Sequence, residues 1–147
     1  MRRPGLASMI MAALAGAGLA GLALAGSALP AAAAGLDGTE PVTCATSVTF
    51  DCAPNGDCIK DSPEAINLPR LIRLDLPAKK AFTKWASGEE RTAEIASQKV
   101  EQGRLILQGI QNGNAWSLTV SQETGVMSLS MAGDGAAIVA FGVCEAF

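Results

Sequence analysis

The sequence predicts an all-β fold, a small antiparallel meander that forms an eight-stranded closed or nearly closed barrel with two disulfides. Three observations predict it. Apolar residues recur at every second position over most of residues 42–143, the period of a strand with one face buried and one wet. Between the alternating runs stand Glu101-Gln102-Gly103, Asn112-Gly113-Asn114, Glu123-Thr124-Gly125 and Gly133-Asp134-Gly135, the Gly- and Asn-bearing punctuation that tight hairpins need. Four cysteines, an even number, all lie beyond residue 40, the usage of a small exported domain stapled by disulfides.

The elements follow in chain order. The 147 residues are 49% hydrophobic, but 23 of the first 34 are apolar against 49 of the remaining 113. Those 34 read as a cleaved secretory signal peptide. Arg2 and Arg3 form its basic start, Leu6 to Leu29 its apolar core, and Pro30 followed by Ala32-Ala33-Ala34 the processing site. A rival cut after Ala25 fits the same small-residue rule, and an uncleaved anchor would need the apolar run to span at a tilt. Glycines at 16, 18, 21 and 26 favour cleavage. Residues 35–147 are then a single β-rich domain carrying all fourteen acids and nine of the eleven bases, for a net charge of −5.

Within that domain, Val42, Cys44, Thr46, Val48 and Phe50 alternate against Thr43, Ser47, Thr49 and Asp51. Ile72, Leu74 and Leu76 alternate with Arg73 and Asp75; Trp116, Leu118 and Val120 with Ser117 and Thr119; Met127, Leu129 and Met131 with Ser128 and Ser130. The stretch Pro77–Ala86 admits two readings. A short helix would have Pro at its first position and Phe82 and Trp85 on one face. A strand over 80–85 between two turns suits the hairpins around it better. Taking the strand gives eight, at 42–50, 70–76, 80–85, 92–100, 104–110, 115–121, 126–131 and 137–143. Eight is the number at which a small sheet closes with its interior filled by side chains. The segment Ala53–Pro69, with three prolines, is left as the one long loop.

Cys52 and Cys58 bracket Ala53-Pro54-Asn55-Gly56-Asp57, whose Pro and Asn-Gly favour a chain reversal bringing the two within bonding reach. Cys44 and Cys144 then join the first and last strands, which closure sets side by side, although sequence alone admits all three connectivities. A zinc site is the sharper alternative, but no C-x-x-C pair exists. A calcium loop beginning at Asp51 would want an oxygen ligand where Ala53 stands and a bidentate Glu where Ser62 stands. The segment reads instead as a solvated acidic turn.

The run Ile106-Leu107-Gln108-Gly109-Ile110, Trp116-Ser117-Leu118-Thr119-Val120, Thr124-Gly125-Val126-Met127 and Phe141-Gly142-Val143-Cys144 resembles small uncharacterised exported bacterial β-proteins over about the last 75 residues. In size, compartment and architecture the domain also resembles the exported inhibitors of C-type lysozyme. The second resemblance implies a disulfide-linked barrel that binds a protein, and none of the inhibitors' functional loop residues matches a position here.

Composition narrows the function. With no histidine there is no Ser-His-Asp triad and no His-based metal site. An acidic chain lacks the basic surface that nucleic acids select. General acid–base work would fall to carboxylates or lysine, and Glu89, Glu90 and Glu94 read as a solvated hairpin tip rather than a catalytic pair. The expectation is a non-catalytic protein without cofactor or metal, periplasmic or secreted, and off the membrane once the leader is removed. A terminal Phe147 hints at an outer-membrane barrel, but Glu145, the lack of Tyr and the Ser/Thr outer faces speak against it. The preferred function is a protein-binding, inhibitor-like module of the cell envelope. Its stapled loop would present Asp51, Asp57, Asp61 and Glu64 to an envelope or extracellular protein with a basic surface. The alternative is a lipocalin-like carrier of a small apolar ligand. Trp116, Leu118, Met127, Leu129 and Met131 are bulky enough to fill the interior, so a packed core is expected over a cavity.

Overall fold

The computed structural model describes residues 35–85 and 87–147, and the leader with its two candidate cleavage points lies outside them. Nine antiparallel strands follow one another: β1 Val42–Cys52, β2 Cys58–Asp61, β3 Leu71–Asp75, β4 Lys80–Lys84, β5 Glu90–Glu101, β6 Arg104–Gln111, β7 Asn114–Ser121, β8 Val126–Gly133 and β9 Ala136–Ala146. Each of β3 to β9 pairs with the next, and β9 returns to pair with β1 along its length. Eight strands thus close a barrel, with β2 as an extra. Residues 80–84 are strand, not helix. Among the described residues no helix is long and apolar enough to cross a membrane.

The strand β2 corrects the expectation of a single long loop from 53 to 69. β1 has eleven residues and offers one edge to two partners. Its first four, Val42–Ala45, pair with β3, and its last four, Thr49–Cys52, pair with β2. The outer half of that edge would otherwise present bare N–H and C=O groups. All four β2 residues are exposed, so no buried alternation marks them in the sequence.

A second correction concerns β1 itself. Its register against β9 shifts between Thr46 and Val48, and Ser47 is the extra residue of a bulge. The inward set changes phase there. Val42, Cys44 and Thr46 face the core, but beyond the bulge it is Thr49 that is wholly buried while Val48 and Phe50 turn outward. Phe50 then meets Phe141 edge to face at 6.3 Å on the outer wall. Thr49 stays satisfied because its hydroxyl donates to the Asp61 carbonyl at 2.7 Å.

Both disulfides sit on directly paired residues. Cys44 and Cys144 face each other across the β1–β9 seam, and Cys52 and Cys58 at the turn end of the β1–β2 hairpin, each pair with Cα atoms 4.0 Å apart. Cys144 spends its N–H on the Gly125 carbonyl at 2.8 Å. The seam disulfide therefore occupies a non-hydrogen-bonded pair, the closer of the two antiparallel spacings. Two disulfides indicate an oxidising compartment.

The two ends of the barrel differ. At the end where β1 starts, Leu36 is inserted into the core and only 1% exposed. Its segment is held by side chains from the rim: Gln122 Nε2 donates to the Leu36 carbonyl at 2.8 Å and Gln98 Nε2 to the Gly38 carbonyl at 2.7 Å. Leu105, Val120 and Met127 fill the space above it and are buried. At the other end residues 62–70 cross from β2 to β3. Pro63 and Leu68 are buried, and Leu68 N–H donates to the Pro63 carbonyl at 2.7 Å.

Candidate functional site

The interior at the end away from Leu36 is not filled. A cavity of about 250 Å3 opens at the mouth formed by the ends of β4, β6 and β8 and the starts of β5, β7 and β9. Its floor is Leu74, Leu118 and Leu129, all buried. Trp116 and Met131, direct partners across β7 and β8, form one wall. Ile66, Leu68 and Pro69 from the crossing segment form the opposite one. The expectation of a filled interior therefore fails here, although Trp116, Leu118, Met127 and Leu129 are buried as expected.

The physical reason is the size of the inward residues of β4 and β5. Ala81 and Thr83 point inward from β4 and Ala93 from β5, so the bulky residues of β7 and β8 face short ones. Gly109 has a different role. A Cβ there would meet the Glu94 carbonyl and the Trp116 indole, so the missing side chain lets the Trp116 ring lie across its cross-strand partner. These features follow from register, which the sequence alone does not display.

The rim is polar. Asn67, Gln111, Asn112 and Asn114 line the opening, and Arg91 is the only ionisable residue in the cavity lining among the described residues. Arg91 sits at the start of β5, with its guanidinium carbon 4.2 Å from the centre of the Trp85 ring. Its Nε lies 2.8 Å from Glu89 Oε1 and its Nη2 3.3 Å from Glu89 Oε2. That bidentate contact holds the Glu89 carboxyl below its ordinary pKa and pushes the Arg91 guanidinium up. Glu89 itself is not in the lining. The pair therefore turns its acid to solvent and its base to the cavity. Glu90 and Glu94, the other acids considered at this turn, pair across to Lys84 and Lys80 in the ladder.

The four acids of the expected partner-binding loop are distributed over three places. Asp51 and Asp61 are diagonal neighbours on one face of the β1–β2 hairpin, through the pairs Asp51 with Ile59 and Thr49 with Asp61. Asp57 stands at the tip, where its carboxylate accepts from Asn55 Nδ2 at 2.6 Å and its N–H donates to Asn55 Oδ1 at 3.1 Å. Glu64 belongs to the crossing segment and is paired with Arg70. That hydrogen bond holds the Glu64 carboxyl down at about 2. Among the described residues no group of three His, Cys, Asp or Glu side chains is gathered as a metal site.

The outer wall is divided. Ser128 and Ser130 of β8 face solvent, whereas Leu71, Val143 and Val126, 56%, 51% and 54% exposed, make an apolar row with Ala45 across β3, β1, β9 and β8. Comparison with family models, curated proteins and solved structures finds no match to this chain.

Proposed function

We propose that the protein binds and carries a small apolar ligand in the mouth of its barrel, in a periplasmic or secreted setting. The observation that carries this reading is the cavity of about 250 Å3 with a leucine floor, left open by Ala81, Thr83 and Ala93. Ligand sites are concave and mostly apolar, with a few polar groups at fixed positions, and barrel mouths are among their usual places. A cavity of about 150 Å3 takes benzene, so this one has room for roughly ten non-hydrogen atoms. The test is a titration with octanamide, a neutral chain of that size, read on the methyl resonances of Leu118 and Leu129. Saturable shifts at both are expected, together with their loss in Ala93→Leu, which fills the space. Methyl resonances that stay unmoved with octanamide and with octanoate alike would remove the reading.

A second reading, the inhibitor-like module, rests on the stapled β1–β2 hairpin. Its β2 strand is wholly exposed, and Asp51 and Asp61 share a face. In that reading the hairpin docks on a basic envelope or extracellular protein, for which a C-type lysozyme is the first probe. Inhibition that disappears on reversing Asp57 and Asp61 to Lys supports it; absence of inhibition by the unaltered protein counts against it.

A further inference from the structure

Resting on the cavity reading above, we infer that the ligand is a small monocarboxylate, its apolar body on the leucine floor and its carboxylate at the rim on Arg91. The argument begins with the hydrogen-bond capacity of one side chain. A guanidinium has five N–H donors in a planar fork. Glu89 takes the Nε–H and one Nη2–H, and among the described residues the Arg91 side chain donates no other hydrogen bond. Three donors remain, on a group that lines the cavity and is itself half-buried, its side chain 32% exposed.

The remaining donors are held in place. The Trp85 ring lies against the guanidinium face at 4.2 Å, and the two-point contact with Glu89 fixes the plane from the solvent side. A cation fixed in this way loses little freedom on taking an anion, and the planar fork matches a carboxylate better than a point charge does. Charge around the opening points the same way. No Asp or Glu lines the cavity, and Glu89 holds Arg91 from outside it, so a ligand cation would meet Arg91 with no acid on the cavity side, whereas an anion meets Arg91 and the side chains of Asn67, Asn112 and Asn114. The lining thus carries one base and no acid, whereas residues 35–147 as a whole carry a net charge of −5. Trp85 and Trp116, both in the lining, also keep buried indole N–H groups with no acceptor among the described residues, which leaves the lining richer in donors than in partners for them.

Depth sets the size of the body. From Arg91 the inward residues of β5 run to Ala93 and then to Ile95, which is buried and outside the lining. A chain anchored at the rim thus reaches the Leu118 and Leu129 level and stops. Long-chain lipids exceed this space.

The test compares octanoate with octanamide, a neutral isostere, by calorimetry and by the same methyl resonances on the full domain. Octanoate is expected to bind about tenfold more tightly, with an advantage that shrinks as salt is raised and disappears in Arg91→Gln. The salt series needs no variant, so the inference stays open to refutation if that substitution upsets the rim. Equal affinity for the two compounds, or an octanoate advantage that survives both high salt and Arg91→Gln, overturns the carboxylate and leaves the apolar cavity reading in place. Failure of both compounds to move Leu118 and Leu129 overturns the cavity reading itself.

Discussion

At the scale of single residues, the positions that decide the site are small or out of phase. Gly109 supports a tryptophan by having no side chain, and its effect is testable. In Gly109→Ala the new methyl meets the Glu94 backbone, which cannot yield, and the Trp116 indole, which must. Overpacking of this kind costs about 1–3 kcal/mol. We expect chemical denaturation to show a loss of about 2 kcal/mol, accompanied by a changed near-ultraviolet dichroism from the displaced indole. Unaltered stability would mean that the Trp116 ring does not rest on Gly109. Ser47 shows why alternation misleads. A serine is at home on a wet face or in a bulge, so nothing marks the place where the inward set moves from Thr46 to Thr49, and Val48 and Phe50 read as core although they face out.

At the scale of elements, legibility follows burial. The strands β6 to β8 could be read because each alternates between turns with Gly or Asn at positive φ such as Asn112 and Gly113, and β7 and β8 set an apolar face against Ser and Thr. The strand β2 could not, since Cys58, Ile59, Lys60 and Asp61 are all exposed and its pairing is justified only by the spare edge of β1. The crossing segment 62–70 reads as loop because its two large apolar residues, Ile66 and Leu68, stand among Ser, Pro, Ala, Asn and charge with no alternating run. It owes its order to contacts far from simple periodicity: the buried Pro63, the Leu68 N–H to Pro63 carbonyl bond, and the Glu64–Arg70 pair. An ion pair this exposed is largely screened by solvent, so the buried proline and leucine carry more of the hold. The cavity was hidden for the same reason as the bulge. Ala81, Thr83 and Ala93 are unremarkable until closure of the barrel sets them around one cavity with Trp116 and Met131.

At the scale of the whole molecule, closure is the organising event, and the two disulfides contribute to it unequally. The Cys44–Cys144 bond ties residues 100 apart in sequence, the Cys52–Cys58 bond residues 6 apart. In the chain-entropy account the first removes about 4.7 kcal/mol of unfolded-state freedom and the second about 2.4 kcal/mol. We expect the double substitution of Cys44 and Cys144 by Ala to lower unfolding free energy roughly twice as much as that of Cys52 and Cys58 by Ser, with urea denaturation as the measure. Equal losses would show that the seam is held by its strand pairing and packing alone. The bonding pattern was legible because two local facts sufficed, a turn sequence between Cys52 and Cys58 and the adjacency of first and last strands. The cavity was not, because that depends on which inward positions fall at the same height.

Leu36 and its segment stop one end of the barrel, and the other end opens beneath residues 66–69. A guest seated there, as proposed above, departs along the path by which it came. Microscopic reversibility then couples the two directions. A change that merely stiffens or loosens the threshold without touching the seated guest alters arrival and departure by one common factor. The equilibrium occupancy stays the same while the residence time changes.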